Sequence, residues 1–500
     1  MPVMGTPELP LPDGLVLRPF RGVRFTVEDP AKVTSPPYDL ISDADVDALL
    51  DSHPNNVVRL ILPRSPRLTA SAEHPAPRPP RASRVEAAEA TPEDRYTEAR
   101  DTLRAWLDSG VLVPDEVPAL YVYEQSGPGI LQRGLIGDVG LADPGQRIIL
   151  PHEDVMPGPI ADRLALMSTT QANLEPIFLL YDGDHGTASA MVDEVALKRR
   201  PLVTAHTEDG LTHRLWAITD PSEIDAINAD LHSRQALIAD GHHRYATYRV
   251  LQRQEHATHR PQAEEPTRTD ATPEPEAPPS SQQITPQTDP SPASAGDHVG
   301  DRPSSAVAEP EVGPWDFGLA LLVDSSAYPP NLQAIHRVIP GLPLSEATAR
   351  AKGGWRVQDF DDLTQGLAAL AEAPEPAFLL AGEDGSHLLT HPDPVQLARA
   401  MPPDHSNRWN SLNTSVLTEF VLPKVWGMRD DDQAVRVVHH DTEAAVRLAV
   451  RTGGTAVLLK PLAVDDVLAV AAGGERVPRK STSFGPKPRT GLVLRTFAID

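Results

Sequence analysis

Residues 236–245 read ALIADGHHRY, and this stretch joins a predicted strand to a predicted helix. The apolar run 236–239 is long enough for a buried strand, and Asp240-Gly241 is a turn signal. From His242 onwards, aromatic and apolar residues recur at helical spacing, which predicts a helix. The free N–H groups and the positive end of the helix dipole would then face any group above the turn. The stretch therefore predicts an anion-binding site on a strand–turn–helix unit.

The composition narrows the class of protein. The chain has 500 residues, a formal charge of −25 at pH 7 and no cysteine. This length favours two or three domains, and the negative charge argues against a nucleic-acid surface as the main function. The lack of cysteine excludes disulfides, thiolate metal sites and cysteine nucleophiles. No apolar run reaches membrane-spanning length and no signal pattern opens the chain, so we predict a cytoplasmic enzyme or binding protein.

Strand and helix patterns are mixed along the chain, and we predict an α+β fold with mixed sheets and helices in two lobes. Two Pro-rich segments, 64–90 and 256–312, are predicted to be disordered insertions; the second has eleven prolines and no aromatic residue. The predicted organisation is a disordered tail at 1–13, an N-terminal lobe at 14–255 and a C-terminal lobe at 313–500. The lysine-containing C-terminal segment is expected to return and complete a pocket between the lobes.

Local signals place individual elements within these lobes. The run 57–62 predicts a strand, and 490–494 predicts the final strand. Thr91-Pro92 predicts the capped start of a helix, with threonine as the N-cap and proline at the first helical position.

The first polar cluster is 240–244, and it has two interpretations. In the functional one, Asp240 holds a metal or a substrate hydroxyl, while the glycine turn, a histidine and Arg244 bind phosphate. In the structural one, Asp240 caps the helix, and the histidines and the arginine pack or face solvent. Spacing alone leaves both open, and neither a P-loop nor a G-x-G-x-x-G pattern occurs nearby.

Three further clusters lie at junctions between elements, where functional sites commonly lie. They are His152-Glu153 with Asp162-Arg163, His336-Arg337, and Lys480-Ser481-Thr482 with Lys487. A glutamate beside a histidine is able to act as a general base, and lysines with hydroxyls suit an anion. Solvated helix starts, strand ends and polar loops have the same composition, so a structural interpretation stays open for each cluster.

Two histidines are able to bind one metal ion only if their side chains point to the same place. His242 and His243 are adjacent, so in a helix their side chains point about 100° apart. This geometry disfavours a zinc site, and we predict no metal ligand. A magnesium ion carried by phosphate and one carboxylate remains open.

The ordered chain resembles the bacterial and archaeal family known as domain of unknown function 1015. The matching stretches are Pro36-Pro37-Tyr38-Asp39, His152-Glu153, Asp162-Arg163-Leu164, 240–245, His336-Arg337, and Lys480-Ser481-Thr482 with Pro486-Lys487. They occur in the family's order across most of residues 14–500, and the two insertions are the main departures. The resemblance implies membership of the family but no particular activity.

The boxes Pro151-His152-Glu153 and 240–244 also resemble those of the ParB/sulfiredoxin-like superfamily, which includes nucleotide-dependent free serine kinases. The resemblance implies that Glu153 is the base on the substrate hydroxyl and that 241–244 cradle the nucleotide phosphates. It further implies ATP or ADP with Mg²⁺ as the cofactor, and a role for Asp240 in positioning substrate or Mg²⁺.

Two functional hypotheses remain. The first is nucleotide-dependent phosphoryl transfer to a small hydroxylated metabolite such as serine, and the second is a non-catalytic nucleotide- or metabolite-binding sensor or assembly module. Glu153 and Asp240 are the predicted catalytic residues. The predicted nucleotide-binding residues are Gly241, His242, His243, Arg244, His336, Arg337, Lys480, Ser481 and Lys487, and the predicted substrate-binding residues are Tyr38, Asp39, His152, Asp162 and Arg163. The expected partner is a small-molecule or nucleotide ligand, with no nucleic acid and no membrane.

Overall fold

The structure, a computed structural model, describes residues 9–64, 94–259, 311–431 and 433–499. Its strands, numbered along the chain, are β1 Leu17–Arg18, β2 Val23–Phe25, β3 Leu112–Pro114, β4 Leu120–Gly127, β5 Ile130–Gly140, β6 Ile149–Leu150, β7 Ala172–Asn173, β8 Ile177–Tyr181, β9 Val203–His206, β10 Thr212–Ile218, β11 Ala236–Asp240, β12 Phe317–Asp324, β13 Asn331–Gln333, β14 Ile335–Ile339, β15 Arg356–Phe360, β16 Phe378–Gly382, β17 Gly385–Thr390, β18 Arg436–His439, β19 Thr455–Leu458, β20 Ser483–Gly485 and β21 Arg495–Thr496. Its helices are α1 Asp43–Ser52, α2 Val58–Ile61, α3 Asp94–Asp108, α4 Pro157–Thr170, α5 Thr187–Lys198, α6 Pro221–Leu231, α7 His242–His259, α8 Leu344–Ala351, α9 Leu363–Glu372, α10 Pro394–Ala400, α11 Asn407–Ser411, α12 Asn413–Val416, α13 Thr442–Arg451 and α14 Val464–Ala472. A π-helical segment, Leu417–Val425, continues α12. None of the helices in these ranges has the length and apolar character needed to cross a membrane.

A nine-stranded sheet organises the first part of the chain. Its strands lie in the order β6-β11-β8-β12-β5-β4-β10-β9, with β1 also paired to β5. The pairs β11–β6 and β12–β8 are parallel, whereas the pairs on either side of β4 and β5 are antiparallel. The predicted α+β fold with mixed sheets is therefore confirmed.

Both faces of this sheet are buried, which explains the apolar runs in the sequence. Along β8, Ile177 and Leu179 belong to one apolar cluster, while Phe178 and Leu180 belong to the cluster on the other face. Helices α5, α6 and α7 contribute to the first cluster, and α11 and α14 contribute to the second. A strand that is covered on both faces reads as a continuous apolar run rather than an alternating one.

A second sheet of six strands, in the order β15-β17-β16-β19-β14-β18, lies in the C-terminal part. All of its strand pairs are antiparallel. One side packs on a cluster that includes Phe420 of the π-helical segment, and the other packs on a cluster that includes Leu370 of α9 and Ala445 of α13.

The pairing of the strands bears on the predicted segments. Strand β12 follows the second predicted insertion but pairs with β5 and β8. The predicted start of the C-terminal lobe at residue 313 therefore falls between strands of the same nine-stranded sheet. The insertion predicted at 256–312 begins too early, because α7 continues to His259. In the predicted tail 1–13, the carbonyl of Pro12 accepts a hydrogen bond from Gln146. Residues 1–8, 65–93 and 260–310 lie outside the described residues, as does the helix start predicted at Thr91-Pro92.

Two predicted strands are wrong. The run 57–62 forms helix α2, whose Val58, Leu60 and Ile61 are all buried. The run 490–494 makes only isolated bridges, from Thr490 to Ser35 and from its last residue to Val23. The strand at this end of the chain is β21, which pairs with β7.

The C-terminal segment therefore returns to the N-terminal half of the molecule. Strand β20 pairs with β13, and β21 then pairs with β7. The lysine-containing segment brings Lys487 against Asp39 and Asp240. The predicted pocket between two lobes stays a prediction.

Candidate functional site

The predicted strand–turn–helix unit is present, as β11, Gly241 and α7. Gly241 has φ of +93°, and a Cβ atom there would lie 2.9 Å from Cγ2 of Ile177. Only glycine fits this turn without strain, since positive φ and the close approach both exclude a side chain. The first helical hydrogen bond runs from the N–H of Tyr245 to the carbonyl of Gly241. The three preceding N–H groups therefore lie at the open amino end of an 18-residue helix.

The two histidines of this helix start hold the chain that precedes α4. The Nε2 atom of His242 accepts from the N–H of His152 at 3.3 Å, and Nε2 of His243 accepts from the N–H of Met156 at 3.1 Å. Burial lowers the pKa of both imidazoles. Both rings are therefore neutral acceptors, and these nitrogen atoms are not free to donate to an anion.

Arg244 points into the protein. Its Nη1 donates to the carbonyl of Pro176 and its Nη2 to Oδ2 of Asp240, each at 2.6 Å, and the residue is 4% exposed. Burial lowers its pKa, but the nearby carboxylates of Glu175, Asp240 and Asp39 raise it above the usual value. The guanidinium thus fixes the turn and balances buried negative charge.

Lys487 joins two carboxylates that are far apart in the sequence. Its Nζ lies 2.5 Å from Oδ2 of Asp39 and 2.5 Å from Oδ1 of Asp240. Burial lowers the pKa of Lys487, and these two charges raise it above its usual value. For Asp39, burial raises the pKa, but Lys487 and Arg244 lower it below its usual value. Both oxygens of Asp240 are consequently occupied by cationic partners.

Glu153 belongs to a three-residue hydrogen-bonded chain. The hydroxyl of Thr482 lies 2.8 Å from Oε1 of Glu153, to which it donates, and 2.7 Å from Nε2 of His152. His152 is fully buried, and burial lowers its pKa to about 3. Burial raises the pKa of Glu153, whereas the Thr482 hydrogen bond and the charge of Lys480 oppose that rise. Glu153 as a residue is partly exposed, and its carboxylate is held in a buried environment by Thr482.

Lys480 is held beside Glu153 by the second sheet. The buried Arg337 on β14 donates from Nη2 to the carbonyls of Arg479 and Lys480, at 3.1 and 3.0 Å. Lys480 itself has φ of +54°, a conformation that needs such support, and its side chain is exposed. Arg337 therefore positions the lysine segment and does not itself reach the surface.

The remaining predicted residues have structural partners. Ser481 is buried and donates to the carbonyl of Pro478, and Nδ1 of His336 accepts from the N–H of Leu459. Asp162 is bound by Arg95, Tyr96 and Arg163.

Tyr38 links the Asp162 network to the rest of the site. Its ring lies 4.5 Å from the guanidinium of Arg163 and 5.8 Å from that of Arg244. We define the Glu153 site as Glu153, Thr482, Lys480 and the amino end of α7; Asp39, Asp240 and Lys487 form its base.

A protein-held metal centre is not evident in this arrangement. Across the described ranges, no three or more histidine, aspartate and glutamate side chains cluster in a way that could hold a metal ion. Asp240, the carboxylate predicted to help with Mg²⁺, has Lys487 and Arg244 on its two oxygens. The side chains do not form a ligand set for Mg²⁺ at this position.

Comparison with known protein families shows which family the chain belongs to. The family model described as "Protein of unknown function (DUF1015)" matches residues 17–271, just over half of the chain. The chain belongs to the DUF1015 family. No curated protein matches it.

This DUF1015 member is also similar to several solved structures. Free serine kinase in complex with AMP has 13% identity and a TM-score of 0.31, covering 71% of this chain and 90% of that chain. SbnI with a C-terminal truncation, from Staphylococcus aureus, has 10% identity and a TM-score of 0.33, covering 73% and 88%. A conserved hypothetical protein from Pyrococcus furiosus has 12% identity and a TM-score of 0.29, covering 68% and 87%.

Two residues in or next to the site were absent from the predicted catalytic and binding residues. Thr482 belongs to the predicted lysine cluster, but only its neighbour Ser481 was predicted to bind the nucleotide, although Thr482 contacts Glu153. Glu175 is buried, and its Oε1 accepts from the N–H of Tyr38 and the hydroxyl of Thr490. A charged residue inside the apolar stretch before β8 was a signal for Glu175, because a buried carboxylate needs partners.

Proposed function

We propose that this DUF1015 member transfers a phosphoryl group from a nucleotide to the hydroxyl of a small metabolite at the Glu153 site. Glu153 carries the proposal. Its carboxylate is oriented by Thr482, whose hydroxyl donates to Oε1 at 2.8 Å and whose backbone also hydrogen-bonds to the carboxylate. A fixed carboxylate with a pKa raised by burial is suited to accept the proton of an attacking hydroxyl.

The groups around Glu153 suit a phosphorylated ligand. The open N–H groups and the dipole at the start of α7 favour anionic oxygens. Lys480 adds an exposed ammonium group within electrostatic reach of Glu153. Mg²⁺ bound with the nucleotide would neutralise phosphate charge, but the side chains here do not supply its ligands.

The chemical step assigned to this chain is a single proton transfer. The substrate hydroxyl gives its proton to the carboxylate of Glu153 as its oxygen forms the new bond to phosphorus, and the nucleotide leaves with the electrons of the broken bond. Thr482 keeps the carboxylate oriented, and the amino end of α7 stabilises charge on the transferred group. Asp240 acts through Lys487 and Arg244, so its assigned role is to position the site.

The test is a product assay with the full chain, L-serine, Mg²⁺ and either ATP or ADP. Phosphoserine should form with one of these nucleotides, and Glu153→Gln should lower kcat by about 10²-fold or more, because the amide cannot accept the proton. Thr482→Val should lower kcat less and shift the pH profile, since it releases Oε1. Glu116→Gln, an exposed site elsewhere, is the matched control.

The assay also separates the alternative function. Stabilisation of the protein by a nucleotide that is never consumed would overturn phosphoryl transfer and favour a non-catalytic sensor. Full activity in Glu153→Gln would refute the assignment of the base.

A further inference from the structure

We propose that a second pocket, remote from the Glu153 site, binds a small organic anion with an apolar body. The pocket has a volume of about 380 Å³, within the usual range for small-molecule sites. It is formed on β4, β5 and β10 together with the residues at the end of α5, including Arg199. Strands β8 and β12 separate this part of the sheet from β11, which leads to the Glu153 site.

Cross-strand pairing builds the floor of the pocket. Arg214 on β10 is directly opposite Glu124 on β4, and Glu124 is directly opposite Arg133 on β5. The side chain of Glu124 is 4% exposed, and its two oxygens accept from Arg214 at 2.5 Å and from Arg133 at 2.7 Å. One buried carboxylate therefore holds two guanidinium groups side by side on one face of the sheet.

A third guanidinium, that of Arg199, completes the charged lining. Its Nη2 pairs with Glu223, while Arg133 also contacts Asp193; both of these acids lie outside the pocket lining. The lining itself thus carries three arginines against a single carboxylate. With Asp193 and Glu223 counted, three carboxylates balance the three arginines, so the arginines would hold a ligand through their remaining N–H donors and not through a net positive charge.

Arginine N–H groups remain for a ligand. Arg214 uses only Nη1, and Arg199 uses only Nη2, for hydrogen bonds within the described ranges. Each guanidinium has five N–H donors in a planar fork that matches carboxylate and phosphate oxygens. Both side chains are more than one third exposed, so these donors are reachable.

Apolar groups beside the arginines select the rest of the ligand. Trp216 belongs to the buried wall of the pocket, since it is 2% exposed and its Nε1 donates to the carbonyl of Arg199 at 3.0 Å. Leu131 is 52% exposed at the pocket, next to the guanidinium floor. An anion with an aromatic or branched body contacts Leu131 as well as the arginines, whereas an inorganic anion contacts only the arginines.

Calorimetric titration of the full chain tests the proposal, with phenyl phosphate, benzoate, inorganic phosphate and phenol as probes. Phenyl phosphate or benzoate should bind, and the stronger of the two identifies the anionic group. Inorganic phosphate should bind at least tenfold more weakly, and phenol should give no heat. Added salt should weaken binding.

Variants assign the binding to this pocket. Arg214→Gln and Arg199→Gln should each weaken binding at least tenfold. Arg199→Gln leaves both ion pairs of the buried Glu124, with Arg133 and Arg214, intact. Arg200→Gln, an exposed neighbour outside the lining, is the matched control, and Glu153→Gln should bind normally. Unchanged binding in both arginine variants, loss of binding in Glu153→Gln, or no binding at millimolar concentration would each overturn the proposal.

Discussion

Replacing Lys487 by methionine tests the charge balance beneath the Glu153 site. The change removes the ammonium that lies 2.5 Å from both Asp39 and Asp240 and leaves their carboxylates without it. Removing one partner of a buried ion pair costs about 3–5 kcal/mol. Asp39 is 36% exposed on its side chain and Asp240 keeps Arg244, so solvent and the arginine offset part of that cost. We expect a loss of about 2 kcal/mol in the free energy of unfolding.

The measurement is denaturant unfolding at neutral and acidic pH. The pKa of Asp39 is lowered in the folded state, so its contribution is present above the usual value of 3.8 and is lost as pH falls through the folded value. The Lys487→Met defect should therefore shrink in acid, where the unpaired carboxylate takes up a proton. Lys352→Met, at an exposed site, should change stability by no more than about 0.5 kcal/mol.

A double variant makes the prediction refutable. Adding Asp39→Asn to Lys487→Met removes the unpaired charge and should recover part of the loss. Wild-type stability in Lys487→Met, or a defect that neither acid nor Asp39→Asn reduces, would show that the bridge does not stabilise the fold.

Other positions give sharp expectations for stability. Gly241→Ala should cost about 3 kcal/mol in the free energy of unfolding, because of its positive φ and the crowded space at the turn, whereas Gly145→Ala in open space should be nearly neutral by thermal melting. Burial lowers the pKa of His152 to about 3 and the pKa values of His213 and His336 to about 4. Their stabilisation is complete above the usual value of 6.5 and is lost as pH falls towards the folded values, at about 1.4 kcal/mol per pH unit for each histidine. His336→Asn removes one of these histidines, so below pH 6.5 the free energy of unfolding should fall with decreasing pH by about 1.4 kcal/mol per pH unit less than in the wild type. An unchanged pH dependence would contradict this account.

The strand–turn–helix unit at 236–245 was predictable because all the signals that specify it lie within these ten residues. An apolar run, a glycine turn and helical periodicity agree over ten residues, and β11 and α7 begin as expected. The run 57–62 had no such agreement. Its short apolar pattern fits a buried strand or a buried helix, and only packing among the surrounding helices decides for α2.

Sequence patterns selected several residues that the structure brings near Glu153, but they did not predict the direction of the side chains. Arg244 was expected to bind phosphate, yet it pairs with Asp240 at the end of β11, across the glycine turn that joins the strand to α7. The pairing of Lys487 with Asp39 spans 448 residues, and no periodicity encodes it. The sequence does not distinguish the neighbouring hydroxyls of Ser481 and Thr482. In the structure, the hydroxyl of Thr482 donates to Glu153, whereas that of Ser481 donates to the carbonyl of Pro478.

The returning C-terminal segment has a consequence for the order of biosynthesis. A ribosome makes Glu153 and the start of α7 long before it makes Thr482 and Lys487. Until Lys487 is made, the carboxylates of Asp39 and Asp240 lack this ion-pair partner. By then the N-terminal half of the chain already contains most strands of the nine-stranded sheet. Contacts over such separations form late and slowly. A growing chain would thus form much of its scaffold before Thr482 and Lys487 can reach Glu153, Asp39 and Asp240.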